Sequence, residues 1–390
     1  MKGLLVIETH PIQYHAPVYQ ALQGEQGIPT TVIYGSDYGV AGYWDEEFQK
    51  EFAWDTDLLA GYRSIFLSRS GGKSGKPSAR NLRNKIREVD PTSILLTGYS
   101  PLFYSEVVIQ ALTLSYPLLF RGETTDHARV RSSVKMCARD AFLRFMYSRC
   151  SRLLYVGKES LSHFRRLGCP EAKLVFSPYC VNAQTFQCDE DARRRLRDDL
   201  RGSLGFSGDQ TVLLFSGKLS HRKGANLLLL AVKQLPESVR KNMGIIYVGS
   251  GNLEPELRRL AADPPSTSVH FAGFQNQTKL SPYYHAADLL VLPSLHSETW
   301  GLVVNEAFHH GLPAVVSEAV GCAPDLIKTG VTGEVFLSGS DADLCAVLQR
   351  ALALTQNEAV RTRCREKIRD YTVEKAAAGI ASAYKAVNQP

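Results

Sequence analysis

Two glutamates in the second half of the chain are spaced so that they could act together on a sugar-containing ligand. Glu298 and Glu306 have seven residues between them and follow the apolar run Leu289–Leu292. The run predicts a buried parallel strand, and the residues from about Leu302 predict a helix that ends at Gly311. Free N–H groups at a helix N-terminus bind phosphate, and a carboxylate beside them accepts hydrogen bonds from sugar hydroxyls. The spacing therefore predicts a nucleotide-sugar site. The alternative is a helix-capping Glu298 and a solvated Glu306.

The residues around the two glutamates resemble a known signature. The stretch PSLHSETWGLVVNEAFHHGLPAV, which begins at Pro293, is similar at nearly every position to the E-x7-E signature of the retaining glycosyltransferases of family four. Gly321, with Asp325 where a Glu is more usual, completes it. The resemblance implies an α/β protein of the GT-B fold. In that fold, two Rossmann-like doubly wound domains face a central cleft and a C-terminal helix crosses back to the first domain. It also implies sugar transfer with retention, with Glu306 on the ribose and Glu298 on the donor sugar.

A lysine pair follows an earlier predicted strand of the second half. The segment SGKLSHRKG, from Ser216 to Gly224, resembles the family motif G-R-L-x-x-x-K-G, with Lys218 in place of the usual Arg. Lys keeps the charge of Arg but loses its bidentate fork. Gly217 permits a tight turn, so Lys218 and Lys223 lie where a diphosphate clamp requires them, with two solvated lysines as the alternative. The other residues assigned to the nucleotide-sugar by resemblance are Gly249, Gly251, Phe274, Trp300, Gly301, Leu302 and Val303.

These groups predict catalysis without a metal ion. Negative charge develops on the β-phosphate as the sugar leaves, and the two lysines and the helix N-terminus can stabilise it. We therefore predict Glu298, Lys218 and Lys223 as catalytic residues, no metal ligands, and no cofactor besides the co-substrate, a UDP-, GDP- or ADP-linked sugar. Asp55-Thr56-Asp57 has the D-x-D spelling of metal-dependent transferases. It lies in an aperiodic segment, so we assign it no metal.

The first half of the chain matches the family in architecture more than in motif. The loop after the first predicted strand has Gln13 and Tyr14 near the place where related enzymes carry a Gly-Gly pair. An arginine and a glutamate follow a later predicted strand, near the place of a family histidine that touches the donor sugar. For each histidine of the loop a structural role is the alternative. The predicted donor or acceptor contacts from this half are His10, Gln13, His15, Arg121 and Glu123.

Length and element pattern predict two domains. The chain has 390 residues, of which 44% are hydrophobic and 22% charged, as in soluble globular proteins. Strands alternate with helices in both halves, which predicts two parallel doubly wound sheets. We predict an acceptor-side domain over residues 1–185, a nucleotide-sugar-binding domain over 205–370, and a helix over 371–390 that returns to the first domain. No apolar run approaches the roughly 20 residues of a spanning helix, and the N-terminus predicts a strand rather than a signal peptide.

Positive charge is concentrated between Arg121 and Cys180, where twelve Lys or Arg face five Asp or Glu. A solvated basic face accounts for this, and attraction to anionic lipid headgroups or a phosphorylated acceptor is the alternative. The segment Arg131–Arg152 predicts a basic helix with one apolar stripe, which we predict to be core rather than a membrane face. The stripe comprises Val134, Ala138, Ala141, Phe142 and Phe145. Residues 69–78 predict a flexible basic loop.

Partners and compartment are predicted from the same composition. No aromatic-interleaved motif accompanies the basic charge, so no nucleic acid is predicted as a partner. Eight cysteines without a C-x-x-C pair favour a reducing cytoplasm, with peripheral attachment at the inner face of the membrane as an open alternative.

The function predicted from these features is that of a retaining, metal-independent glycosyltransferase of the hexosyltransferase type. Its acceptor would be a glycan, a lipid-linked sugar or a small molecule in polysaccharide or glycoconjugate biosynthesis. Two alternatives stay open. One is a GT-B relative of another reaction type, such as a sugar-nucleotide epimerase or a phosphorylase. The other is a catalytically silent sugar-nucleotide-binding protein. The donor base, donor sugar and acceptor depend on loop shape, which these motifs do not fix.

Overall fold

Short apolar runs form the strands of two parallel sheets. The computed structural model describes residues 2–40, 43–45, 50–52, 54–69, 77–100, 102–126, 133–262 and 267–388. The strands in this part of the chain are β1 (Leu4–Glu8), β2 (Thr30–Tyr34), β3 (Tyr43–Asp45), β4 (Lys50–Phe52), β5 (Arg63–Phe66), β6 (Ser93–Leu96), β7 (Leu118–Arg121), β8 (Arg152–Tyr155), β9 (Leu174–Phe176), β10 (Thr211–Ser216), β11 (Met243–Val248), β12 (Ser268–Gly273), β13 (Leu289–Leu292), β14 (Ala314–Ser317) and β15 (Gly333–Phe336).

The order of the strands reverses once in each sheet. The first sheet has the order β5-β2-β1-β6-β7-β8-β9 and the second the order β12-β11-β10-β13-β14-β15. A separate antiparallel pair is formed by β3 and β4. In open parallel sheets ligands bind at the carboxyl ends of the strands, where the strand order reverses. Here the reversals lie beside β1 and β10. The predicted pair of doubly wound sheets is confirmed, although the sequence pattern did not reveal β15 or the β3–β4 pair.

Helices cover both sheets, and their apolar faces build the cores. The described helices are α1 (Ala16–Gly24), α2 (Leu82–Val89), α3 (Leu102–Leu112), α4 (Ser133–Arg149), α5 (Lys158–Arg166), α6 (Glu190–Leu204), α7 (Ala225–Gln234), α8 (Glu237–Arg240), α9 (Glu254–Ala262), α10 (Ser281–Ala286), α11 (Leu302–His309), α12 (Ala323–Leu326), α13 (Asp341–Ala351), α14 (Glu358–Ile368) and α15 (Val373–Asn388).

The connector between the two sheets contains helix α6. Its N-terminus is capped by Asp189, whose carboxylate accepts the N–H of Ala192 at 2.8 Å. Gly205, in the left-handed conformation, ends it. The helix predicted in this arginine-rich segment is therefore present. The domain boundaries at 185, 205 and 371 remain predictions.

The last helix, α15, returns to the first sheet, as predicted. Its small residues Ala376, Ala377 and Ala381 are buried in one apolar cluster with residues of β1 and α1. The hydroxyl of Ser177 donates to the carbonyl of Ala376 at 2.9 Å, and the hydroxyls of Thr92 and Tyr384 lie 2.9 Å apart. Small side chains allow the close approach that this crossing needs.

Helix α4 presents its predicted core stripe to solvent, so that prediction is wrong. Val134 is 80% exposed and Phe145 59%, while the buried side of the helix carries Leu143, Met146 and Tyr147. These three pack with Phe120 of the first sheet. The helix has two apolar faces, and only one of them can meet the sheet. Periodicity detected the first face and could not tell which one packs.

Three further predictions concern the basic loop, membrane-spanning helices and the cysteines. Residues 70–76 of the predicted basic loop lie outside the described residues. Within the described ranges, no helix has both the length and the apolar character to cross a membrane. All eight cysteines are free thiols.

Candidate active site

A cavity of about 370 Å³ opens between the carboxyl edges of the two sheets. Both halves of the chain contribute to it, which is why residues distant in sequence can act on one ligand. The lining residues of the first half are His10, Pro11, Ile12, Gln13, Tyr14, Trp54, Glu123 and Tyr179, and those of the second half are Gly217, Lys218, Arg222, Lys223, Glu298, Thr299, Trp300, Gly301, Leu302 and Val303.

An ion pair joins the two loops of the second half that were predicted to bind the donor. The ammonium group of Lys223 donates to Oε2 of Glu298, and the hydroxyl of Ser294 donates to the same oxygen at 2.8 Å. The side chains of Lys223 and Glu298 are 16% and 11% exposed. In this partly dry setting their charges are screened less than on the surface. Lys218 lies on the same wall of the cavity.

The N-terminus of helix α11 opens into the cavity. Gly301 precedes it with φ of +102°, and a Cβ there would lie 2.8 Å from a methyl carbon of Val320. Only glycine adopts this turn without strain. The N-cap residue of the helix is Gly301, which forms no side-chain cap hydrogen bond, so Glu298 is not the cap residue. The first N–H groups of α11 have no intrahelical acceptor and are suited to bind an anion.

Two predicted glycines lie behind the cavity rather than in its wall. Gly249 has φ of +130°, and a Cβ there would lie 1.9 Å from the carbonyl oxygen of Gly217. The N–H of Leu219 donates to the carbonyl of Ser250 at 2.9 Å, next to Gly251. The turn after β11 therefore supports the Gly217–Leu219 loop and reaches a ligand only through it.

Glu306 is buried, 3% exposed, and lies outside the cavity lining because Tyr14 stands beside it. The hydroxyl of Tyr284 donates to Oε2 of Glu306 at 2.5 Å, and the hydroxyl of Tyr14 forms a second hydrogen bond to the carboxyl group. Burial raises the pKa of Glu306 to about 7, against the lowering effect of the two tyrosines. A solvated surface role for Glu306 is therefore wrong.

Contacts across the cleft involve residues that the sequence did not single out. Tyr14, noted only as a departure from the family, reaches from the first half to Glu306 of the second. The hydroxyl of Thr299 donates to Glu123 at 2.6 Å. The rings of Trp54 and Phe274 have centroids 6.3 Å apart. No motif marks these pairs, since each forms only when the two sheets meet.

Asp55, which we excluded as a metal ligand, also makes a contact across the cleft. Its carboxylate accepts the hydroxyl of Thr278 at 2.5 Å. Within the described residues no group of three or more His, Cys, Asp or Glu side chains has the geometry to hold a metal ion.

Two predicted contact residues, His15 and Arg121, do not line the cavity. His15 Nδ1 lies 2.8 Å from Oε1 of the buried Glu8. Burial alone would raise the pKa of Glu8, but His15 and two tyrosine hydroxyls lower it below its usual value. Arg121 donates to the hydroxyl of Ser177 at 2.9 Å and to the carbonyl of Pro178 at 2.7 Å. Both side chains thus support the wall around Tyr179 from behind.

The fold is shared with glycosyltransferases of known structure. The chain superposes over its whole length on a glycosyltransferase from Rickettsia africae, with a TM-score of 0.73, 12% identity and 99% of that chain covered. It also superposes on HepE of Anabaena in complex with UDP, with a TM-score of 0.71, 17% identity, and 99% and 100% of the two chains covered. At such identities the likeness concerns the fold, which is GT-B, as predicted.

A family model matches the second half of the chain. Residues 197–371 match the model described as Glycosyl transferases group 1. The lipopolysaccharide 1,2-N-acetylglucosaminetransferase of Salmonella typhimurium is 33% identical over 175 residues, which are 43% of this chain and 45% of that protein. A D-inositol 3-phosphate glycosyltransferase of Mycobacterium marinum is 36% identical over 149 residues, which are 38% and 31% of the two chains. The chain thus spans less than half the length of these relatives.

The environment of Glu306 makes the stability of the protein depend on pH. Its pKa of about 7 lies above the ordinary value near 4.5, so the folded state holds a proton that the unfolded state has lost between these two values. The stabilisation is fully present below about pH 4.5 and is lost as the pH rises through 7. Glu306→Gln cannot titrate. We expect its free energy of unfolding to gain, relative to the parent, on the order of 3 kcal/mol between pH 5 and pH 8.

Urea unfolding of both proteins at pH 5, 6, 7 and 8 measures this gain. Glu366→Gln, at an exposed position of α14, serves as a control with the same chemical change. A constant difference between Glu306→Gln and the parent across the four pH values would contradict the assignment.

Proposed function

We propose that this protein transfers a sugar from a nucleoside diphosphate sugar to an acceptor, with retention, in polysaccharide or glycoconjugate biosynthesis. The observation that carries the proposal is the Lys223–Glu298 pair beside the open N-terminus of α11 in the interdomain cavity. This places a cation and helix N–H groups for a diphosphate next to a carboxylate for sugar hydroxyls. The partly matching relatives that are named as glycosyltransferases support the same chemistry.

The lysines and the helix N-terminus act on the leaving group. When the bond between the sugar and the β-phosphate breaks, the electron pair stays on the phosphate oxygen. Lys218, Lys223 and the first N–H groups of α11 neutralise the new charge, and they are held in place before the reaction begins. The acceptor hydroxyl attacks from the face that the diphosphate leaves, which keeps the configuration of the sugar. Its proton passes to the departing diphosphate.

The two glutamates bind different parts of the donor. Glu298 lies at the cavity wall and accepts hydrogen bonds from the sugar hydroxyls, while its contact with Lys223 keeps both groups oriented. Glu306 accepts hydrogen bonds from the ribose. Tyr14 releases Glu306 when the ribose arrives, because both compete for the same carboxylate. His10, Gln13 and Glu123 face the remaining space from the first half and contact the sugar or the acceptor.

The donor can be identified by ligand-induced stabilisation. A thermal-shift screen against UDP-, GDP- and ADP-sugars tests the proposal, since a ligand that binds only the folded state raises the melting temperature. HepE, a structural neighbour, is described in complex with UDP, which makes the UDP-sugars the first set to try. Failure of all three sets to stabilise the protein would refute the nucleotide-sugar site.

Turnover should not need a divalent cation, because the lysines supply the positive charge that a metal supplies elsewhere. We expect the initial rate in about 5 mM EDTA to stay within about twofold of the untreated rate. Loss of activity in EDTA that Mg²⁺ or Mn²⁺ restores would show that the lysines are not sufficient.

Substitutions separate binding from catalysis. Glu306→Gln should weaken binding of the nucleoside diphosphate, because the ribose contact exists in ground and transition states alike. Lys223→Ala should lower kcat on the order of 10²–10³-fold, since the charge it stabilises appears as the bond breaks. Glu298→Gln should lose discrimination between donor sugars and still bind the free nucleotide. Calorimetric titration and turnover assays on the same samples give both quantities.

A lysine in an exposed pair provides the control for this series. Lys241 is 67% exposed and pairs with Glu237, so Lys241→Ala should leave binding and kcat unchanged. If Glu306→Gln binds the nucleotide as tightly as the parent, the ribose contact lies elsewhere. If Lys223→Ala turns over normally, another group stabilises the diphosphate.

We further propose that the protein rests on an anionic membrane surface, at the cytoplasmic face, through helices α3 and α4. Seven large hydrophobic side chains are exposed in the described part of the chain, and six of them lie on these two helices. Those six are Leu102, Ile109, Val134, Met136, Phe142 and Phe145. Both helices pack on the same face of the first sheet, so these side chains share one surface. An exposed apolar patch of this kind marks an interaction surface.

The charges on α4 favour anionic lipid over a protein partner. Lys135, Arg144 and Arg149 are exposed, and the only acidic residue of the helix, Asp140, is buried. Basic residues around an apolar stripe are typical of helices that lie in the membrane interface. Such a location would bring lipid-linked acceptors to the first half of the cleft.

Vesicle co-sedimentation tests this surface. The parent should sediment with vesicles that contain anionic lipid, less so as salt rises, and not with neutral vesicles. Phe142→Ser combined with Phe145→Ser should reduce the sedimented fraction severalfold. Leu337→Ser, at the 58% exposed hydrophobic residue of the second half, is the matched control and should bind like the parent. Equal binding by both variants, or no binding by the parent, would contradict the proposal.

A further inference from the structure

A second cavity, of about 300 Å³, lies at the opposite edge of the second sheet. Its wall is formed by α6, by α14 and by the segments that lead into β10, β13 and β14. These segments enter the strands at their amino ends, whereas the candidate active site lies at the carboxyl ends. Arg193 and Arg197 of α6 and Arg361 of α14 line the cavity. It is therefore a separate, arginine-rich space that glycosyl transfer does not use.

Two arginines beside this cavity have all their partners within the protein. Arg197 and Arg201 donate to the two carboxylate oxygens of Asp288, at 2.7 and 2.5 Å. Their remaining guanidinium contacts are with backbone carbonyls at the end of α10 and after α6. Asp288 also accepts the N–H of Val212 at 2.8 Å. This network satisfies both guanidinium groups with hydrogen bonds and holds the connector helix to the sheet.

Three other arginines are not compensated in this way. We call Arg193, Arg361 and Arg365 the arginine cluster. Arg193 and Arg361 line the cavity, and Arg365 lies one turn further along α14. Arg193 donates to Glu190, and Nε of Arg361 donates to Glu358 at 3.1 Å. Nη2 of Arg361, and Nε and Nη2 of Arg365, are buried and have no hydrogen-bond acceptor among the described residues. Oε2 of Glu190 lies 3.6 Å and 3.9 Å from the two Nη2 atoms, within electrostatic range and without hydrogen-bond geometry.

The burial of these groups has a free-energy cost in the protein alone. A buried N–H without an acceptor loses its hydration and gains nothing in return. The side chains of Arg361 and Arg365 are 15% and 29% exposed, while the side chain of Glu358 is 65% exposed, so its charge is screened by water. Burial, together with the positive charges of Arg193 and Arg365, lowers the pKa of Arg361 to about 10. Three arginines thus share two glutamates, Glu190 and Glu358, and positive charge is in excess.

We propose that the arginine cluster binds a phosphoryl group, carried either by inorganic phosphate or by a small phosphorylated metabolite. Guanidinium groups match the oxygens of a phosphate in pairs, and an oxyanion among the three side chains accepts the N–H groups that have no acceptor. Such a ligand ties α6, the connector between the two sheets, to α14. None of these residues takes part in the proposed glycosyl transfer, so this site stands or fails independently of that function.

Thermal unfolding with inorganic phosphate as the probe tests the site, at constant ionic strength set by chloride. Phosphate also has access to the lysines of the cleft, so three proteins are compared: the parent, Lys218→Ala combined with Lys223→Ala, and Arg361→Gln combined with Arg365→Gln. We expect phosphate to raise the melting temperature of the parent saturably, by about 2 °C or more. The lysine variant should keep this response and the arginine variant should lose it. A hexose 6-phosphate in a parallel titration distinguishes the two sources, since a tighter response than to phosphate assigns the cavity to a metabolite.

Two further variants exclude trivial outcomes. Arg165→Gln removes an arginine from an exposed pair with Glu171 and should respond to phosphate like the parent. If the arginine double variant does not fold, Arg361→Lys serves instead, and it should weaken the phosphate response about tenfold by losing the fork while keeping the charge. The proposal is overturned if phosphate produces no saturable shift in the parent. It is equally overturned if the shift is lost in the lysine variant and kept in the arginine variant.

Discussion

A carboxylate from the second half of the chain holds a helix of the first half, and the site depends on this junction. Asp325 accepts the backbone N–H of Lys158, at the start of α5, with both oxygens at 3.0 and 3.1 Å, and the hydroxyl of Tyr371 at 2.9 Å. Burial raises the pKa of Asp325, which is the cost of placing it there. Beside it, Trp300 packs between Tyr179 and Tyr371, and its indole N–H donates to Asn305 at 2.8 Å. Asn305 in turn donates to the carbonyl of Tyr179 at 3.1 Å. Trp300, which lies in the wall of the cleft, is thus held in place by residues of both halves.

The position of Trp300 also affects the charged groups of the cleft. Trp300 leads directly into α11, so fixing its ring also fixes the direction of the helix N-terminus. Lys223 and Glu298 pair at that terminus, where a nucleotide's diphosphate and sugar would meet. The carboxylate of Glu306 is buried, and its hydrogen-bond partners are the hydroxyls of Tyr284 and Tyr14. Its environment is therefore suited to binding hydroxyl groups. The Lys223–Glu298 pair therefore presents one cation and one carboxylate that can form charge-assisted hydrogen bonds.

The two edges of the second sheet differ in the residues that gather there. At the carboxyl edge, loops of unlike sequence converge, and small residues allow backbone to approach backbone, as Gly249 does with Gly217. At the amino edge, arginines of α6 and α14 enclose Asp288 and a polar cavity. Helix α6 is also the connector between the two sheets. A ligand bound at the amino edge would therefore contact the segment that joins the two halves. The exposed apolar face of α4 belongs to the first half and is remote in sequence from both.

The sequence alone predicted most of the strands and the helix α11, because these are local. Leu289–Leu292 is apolar throughout, Gly301 marks a turn, and the spacing from Lys218 to Lys223 is contained in one loop. Tertiary structure decided everything that needs two distant segments. It placed Tyr14 against Glu306, turned His15 and Arg121 away from the cavity, and joined Asp325 to Lys158. It also determined which apolar face of α4 packs on the sheet. Phe145 and Met146 belong to two different apolar stripes of this helix, and only the stripe that contains Met146 is buried in the core. Periodicity reports that a face is apolar, whereas burial depends on what the rest of the chain brings to that face.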